Sequence, residues 1–186
     1  MTLRDATLDD ASAIAAVLID SMRSTYRGLL PDEVLDNLSY ETRAAAVRAK
    51  LGDPGDDLIL VALDGDGTIF GYISGGPERT RDGEFAAEVL DIYLLESGQG
   101  QGHGRALMIA CVERFLERGL SSMLVWVFAD NPGRLFYESL GGTAVREKKL
   151  VVGGRELLAI GYGWRDLQAL LQDERRRAGS KRRTVT

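Results

Sequence analysis

The chain has 186 residues, 45% hydrophobic and 27% charged, with a formal net charge of −5. That length and apolar content suit one compact domain with a substantial core. The acidic balance argues against a nucleic-acid binder, and no stretch approaches the roughly 20 apolar residues of a membrane span. One His and one Cys leave no means for a His/Cys zinc site or an internal disulfide, so no metal is expected. The first residues, Met-Thr-Leu-Arg-Asp-Ala, lack the apolar stretch of a secretory signal, and a lone cysteine suits a reducing cytoplasm.

Residues 3–7 read as a first strand. Asp9 and Asp10 then open a helix whose Ile14, Val17, Leu18 and Met22 recur along one face. A second helical region follows Pro31 and carries Leu35, Leu38 and residues 44–51, with a break near Leu38-Ser39. Residues 58–63 and 68–75 are strands joined by Asp64-Gly65-Asp66-Gly67, a hairpin turn on composition. Residues 85–95 form a central strand.

The next helix sets Leu107, Met108, Cys111, Val112, Phe115 and Leu116 on one side and stops at Gly119. A buried strand over 123–128, a short helix over 132–140 and a hairpin turning at Gly153-Gly154 complete the pattern. The order β-α-α-β-β-β-α-β-α-β-β predicts an α/β (α+β) fold: a mixed, mostly antiparallel sheet of about seven strands flanked by helices. After residue 164 the composition changes. Leu167, Leu170 and Leu171 can extend a helix onto the domain, and Arg175 to Arg177 and Lys181 to Arg183 make a basic, solvated tail.

The central strand runs into Glu96-Ser-Gly-Gln-Gly-Gln-Gly-His-Gly104, and a helix follows at once. Glycines let a backbone approach an anion, and the first N–H groups of a helix point toward it, so this junction reads as a phosphate cradle. No Lys follows these glycines, which excludes a P-loop. The dinucleotide fingerprint fails too, because its third glycine falls on Leu107 or Arg105.

Gln99-x-x-Gly102-x-Gly104 resembles the acetyl-coenzyme A signature of the GNAT superfamily of N-acetyltransferases. So does the second block, Asn131-Pro132 followed by Phe136, Tyr137, Glu138, Gly141 and Gly142. The resemblance covers nearly all of residues 1–164, with 165–186 as an extension. It implies a GNAT fold and an acetyl-coenzyme A-dependent N-acetyltransferase. The amides of Gly100, Gln101, Gly102, His103, Gly104 and Arg105 would hold the diphosphate, with Gln99 and Arg105 adding side-chain contacts. Those of Ile92, Tyr93 and Leu94 would bind the pantetheine arm and face the thioester, and Asn131 would bind the arm's amides.

By the same resemblance Tyr137 protonates the departing thiolate and Glu88 is the base, with Asp91 second to it. Strict alternation places Glu88 with Leu90, Ile92 and Leu94, and Asp91 with Val89 and Tyr93. The acceptor amine, of a small molecule or peptide, would be met by Tyr26, Leu29 and Glu88, with Arg27, Leu30, Tyr40 and Tyr162 nearby. Cys111 reads as core packing. The rival expectation is a non-catalytic acyl-coenzyme A-binding module. The resemblance also allows a homodimer.

Overall fold

A computed structural model describes residues 1–80 and 83–183. One sheet of seven strands runs in the order β1-β2-β3-β4-β5-β7-β6. The strands are β1 (Thr2–Asp5), β2 (Leu58–Leu63), β3 (Ile69–Pro77), β4 (Ala87–Leu94), β5 (Met123–Phe128), β6 (Thr143–Val152) and β7 (Arg155–Trp164). Helices α1 (Ala11–Tyr26), α2 (Asp32–Asp36) and α3 (Tyr40–Gly52) precede β2. Helix α4 (His103–Glu117) joins β4 to β5, α5 (Arg134–Ser139) follows β5, and α6 (Leu167–Arg183) follows β7.

Two apolar layers sandwich the sheet. On one face the predicted stripe of α4 is fully buried, with Leu107, Met108, Cys111, Val112 and Phe115 packed against Val89, Met123, Val125 and Trp164. Gly75 on β3 makes that approach possible, since a Cβ there would come within 2.7 Å of the Phe115 ring. On the other face Ile14, Val17 and Leu18 of α1 cover Val61 and Tyr72. Helix α6 is more than a frayed end. Leu167, Leu170 and Leu171 belong to the α4 core, and the helix continues to Arg183. The last three residues of the expected tail lie outside the described residues.

All neighbouring strands are antiparallel except β4 and β5, which run parallel. Their pairing lasts only from Ala87↔Met123 to Val89↔Val125. Beyond those three pairs β4 stays zipped to β3 while β5 stays zipped to β7, so the sheet opens into a wedge.

A bulge sits at the apex of the wedge. Ser74 of β3 faces Asp91, but the next residue, Gly75, faces Val89, so Leu90 is an extra residue on β4. The bulge overturns the alternation expected above. Ala87, Val89, Ile92 and Leu94 share the α4 face, and Glu88, Asp91 and Tyr93 share the α1 face.

Candidate active site

The wedge is the mouth of a cleft of about 630 Å³ between α1, the far half of β4, the glycine loop, β5 and α5. Its floor is β4. The Leu95 N–H donates to the Phe70 carbonyl at 2.9 Å, so the backbone of Leu95 faces β3. Counting back by twos, Tyr93 and Asp91 face β3 as well, while the amides of Ile92 and Leu94 turn toward the open wedge. The Leu94 carbonyl on that side accepts from Ser21 Oγ at 3.1 Å and from Gln99 Nε2 at 2.9 Å. The Ile92 and Leu94 amides remain as donors where β5 has departed. Tyr93 contributes its side chain, not its amide.

One end of the cleft is the glycine loop. Gly100 and Gly102 adopt φ of 71° and 85°, left-handed conformations that glycine enters without strain. They turn the chain so that α4 starts at His103 with its N-terminus on the cleft. Among the described residues, none of the six amide N–H groups of residues 100–105 reaches an intramolecular acceptor within hydrogen-bonding geometry. Six successive free donors at a positive helix end fit a diphosphate.

The loop's side chains are spent on holding it. Gln99 folds back onto Leu94, and Gln101 Nε2 donates to the Ser97 carbonyl at 2.7 Å. Arg105 pairs with buried Glu174 of α6 at 2.5 Å and donates to Ser139 Oγ at 3.0 Å. It therefore ties α4 to α6 and α5. His103 packs its ring on Phe70, 5.0 Å between centroids, with a buried Nδ1 that has no hydrogen-bond partner among the described residues.

The other end is aromatic. Tyr137 is buried, its ring flanked by Phe136, Tyr162 and Trp164 at 5.3, 6.0 and 6.4 Å. It lines the cleft, and its hydroxyl has no hydrogen bond among the described residues. Burial drives its pKa upward, with Tyr26 and Asp91 adding to the effect, so the phenol stays protonated at neutral pH. Asn131 does two things at once. Its Oδ1 accepts from the Gly133 N–H at 2.8 Å, starting the turn into α5, and its Nδ2 donates to Tyr26 Oη at 3.2 Å. Tyr26 and Tyr93 both line the cleft beside Asn131.

The two carboxylates part company. Glu88 lies where β3, β4 and β5 are still paired, opposite Gly76 and Leu124, and does not line the cleft. Asp91 does line it, just past the bulge. Burial raises the Asp91 pKa, while a hydrogen bond from Ser74 Oγ at 3.0 Å acts against that rise. Glu88 is raised by burial as well, but from outside the cleft.

Of the expected acceptor contacts, Tyr26 lines the cleft and Leu29 does not. Arg27 is paired with Asp32 and Asp36, Tyr40 donates to Asp20, and Tyr162 donates to Glu138. Ser21 and Trp126 line the cleft and were not singled out from sequence. Ser21 had a visible signal: it is a polar residue in the apolar stripe of α1, one turn beyond Leu18. Cys111 is fully buried on α4, and burial pushes its thiol up to about 12, which fits packing and not nucleophilic chemistry.

A parted parallel strand pair, with free amides on the inner strand and a glycine-rich helix start beside it, defines a transferase that holds an acyl thioester. The acetyltransferase (GNAT) family model matches residues 18–141, and the chain belongs to that family. It is an acetyl-coenzyme A-dependent N-acetyltransferase. It is 38% identical over 170 residues to the uncharacterized N-acetyltransferase YuaI of Bacillus subtilis, covering 91% of this chain and 96% of that one. The L-methionine sulfoximine/L-methionine sulfone acetyltransferase of Pseudomonas aeruginosa is 29% identical over 130 residues, 70% of this chain and 72% of the relative. Among solved structures, the ribosomal-protein-alanine N-acetyltransferase of Brucella melitensis superposes with a TM-score of 0.69 at 25% identity, covering 88% of this chain and 99% of its own. The PaiA N-acetyltransferase of Thermoplasma acidophilum, solved with coenzyme A, shares the fold with a TM-score of 0.63 at 19% identity, covering 86% and 96%.

Among the described residues no cluster of three or more His, Cys, Asp or Glu side chains could hold a metal. No described helix is long and apolar enough to cross a membrane.

Proposed function

We propose that this enzyme acetylates the primary amine of a small cytoplasmic acceptor by direct attack, with Asp91 as the base and Tyr137 as the acid. One observation carries the reading. The parting of β4 from β5 brings the free Ile92 and Leu94 amides, the Asp91 carboxyl and the Tyr137 hydroxyl to one cleft, whose far end is the glycine loop.

When bound, acetyl-coenzyme A supplies an activated acetyl group and a thiolate leaving group. The amides of residues 100–105 hold its diphosphate, and an amide of Ile92 or Leu94 meets the negative charge that builds on the carbonyl oxygen. Asp91 takes a proton from the attacking amine. Its buried position makes it a better base than a solvated carboxylate, which suits that task. Tyr137 returns a proton to the sulfur. The dry surroundings that disfavour a tyrosinate disfavour a thiolate too, so the transfer is between two groups penalised alike. Asn131 and Tyr26 set the width of the cleft between α1 and α5.

The amino-acid-like acceptor of the Pseudomonas aeruginosa relative supports a small acceptor here. The test is an acceptor screen with the intact protein and acetyl-coenzyme A, followed by release of free thiol. Amine-dependent thiol release supports the reading; tight cofactor binding with no release by any amine refutes it and favours a binding module.

A further inference from the structure

A second cavity, about 190 Å³, lies on the other side of the β4 bulge, between the sheet and helices α1 and α3. Leu90 and Asp91 line both cavities, so the bulge is their common wall. Apolar side chains, Ile14, Leu18, Val47 and Ile59, form much of the lining. Three cations, Arg43, Lys50 and Arg79, form the rest of one side. Two of the three are already neutralised: Lys50 and Arg79 pair with Asp57 at 2.7 and 3.3 Å. Arg43 is not. It is half-buried on α3, and its side chain makes no hydrogen bond or ion pair among the described residues.

A half-buried guanidinium without a partner is unfavourable unless something anionic completes it. Asp91 does not complete it by contact, since its carboxyl accepts from Ser74 and the two are not within ion-pair distance. The cavity therefore presents a cation to bind, a short apolar span, and a carboxylate at the door to the thioester cleft. That order of groups is the complement of a small molecule with a carboxylate at one end and an amine at the other. The volume agrees: it equals about six water molecules at ~30 Å³ each, room for one such molecule and not for an aminoglycoside or a folded peptide end.

We infer that the acceptor is a free amino acid or a molecule of like size and charge, seated in the second cavity with its carboxylate on Arg43 and its amine at Asp91. This rests on the reading of the first cleft given above. In the reaction the amine nitrogen bonds to the acetyl carbon as the carbon–sulfur bond breaks. One ammonium proton is lost to bulk water and a second passes to Asp91. The thiolate takes its proton from Tyr137, which Asp91 replenishes through the cleft. The balance is acetyl thioester plus ammonium giving acetamide, free thiol and one released proton.

The test uses matched sets of free amino acids, their carboxamides and the corresponding decarboxylated amines, with thiol release as the readout. Wild-type enzyme should favour the free acids about 10- to 100-fold in kcat/KM, the range expected of one charge-assisted contact. Arg43→Gln should raise KM for the acids and erase most of that preference, with a much smaller change in KM for the carboxamides. A circular-dichroism melt of the variant should match wild type, because Arg43 has no partner to lose. Carboxamides turned over as well as acids, or a preference that survives Arg43→Gln, would overturn the carboxylate site but leave the transferase reading standing. No thiol release with any set, despite bound acetyl-coenzyme A, would overturn both.

Discussion

Asn131 Nδ2 donates to Tyr26 Oη at 3.2 Å, joining residues 105 positions apart across the open end of the sheet. Tyr26 ends α1 and Asn131 precedes α5, so the contact links the two lips of the cleft. It explains how the wedge keeps its width where the strands no longer hydrogen-bond.

Tyr137→Phe removes the hydroxyl and keeps the ring stack on Tyr162 and Trp164. Turnover should fall by roughly 10²-fold, in the range of lost general acid catalysis, with little change in acetyl-coenzyme A affinity. Steady-state kinetics beside calorimetric binding of the cofactor separates the two quantities. Equal losses in both would make Tyr137 a binding residue only.

The two carboxylates should separate by pH. Burial raises Asp91, so kcat/KM should fall with decreasing pH through a value above the usual carboxylate range, as the base becomes protonated. Asp91→Asn should remove that limb and lower kcat/KM by about 10². Glu88→Gln, outside the cleft, should keep the limb and stay within a few-fold of wild type. The opposite pattern would return the base to Glu88.

Gly102→Val tests the cradle. Nothing lies within 4 Å of a Cβ at Gly102, so that added atom meets no clash in the free protein. Its φ of 85° still disfavours an L-residue by about 1–2 kcal/mol. Stability should drop by that amount, read from a urea melt. Acetyl-coenzyme A affinity should drop at least tenfold, because the cradle's amides lose their alignment. Unchanged affinity would count against backbone binding of the diphosphate.

Asp10 supplies a stability handle away from the site. Its hydrogen bond from Arg4 is the main cause that lowers its pKa to about 2, helped by the Thr7 backbone and hydroxyl. A depressed folded pKa gives stability that is present above the unfolded value near 4 and is lost as pH falls toward 2. Asp10→Asn should cost on the order of 1–2 kcal/mol at pH 7 and nothing near pH 2. Urea midpoints at pH 7 and pH 2.5 provide the check; an equal loss at both would assign the effect to packing.

Much of the site could be read from the chain because it is made of backbone. Glycines at 100, 102 and 104 announce a cradle, since few other structures need three so close to a helix start. Tyr137 and Asn131 were legible by their place in the second block. Three things were not. The bulge is one extra residue in an apolar strand, and Leu90 looks the same whether it is paired or not, so the chain alone does not show that Asp91 lines the cleft and Glu88 does not. Arg105 could not be matched to Glu174, 69 positions away, until α6 was seen to fold back on α4. The cations around the second cavity come from α3 and from the end of β3, and only the sheet brings them together.

The extra residue at position 90 also changes what kind of mutation matters. A bulge is a phase shift: remove Leu90 and the strand regains strict two-residue rhythm with every other side chain on the face it now occupies, and what disappears is the kink at the apex of the wedge. Tolerance scanning along this strand should therefore show an enzyme that accepts many substitutions at Leu90 and no deletion there.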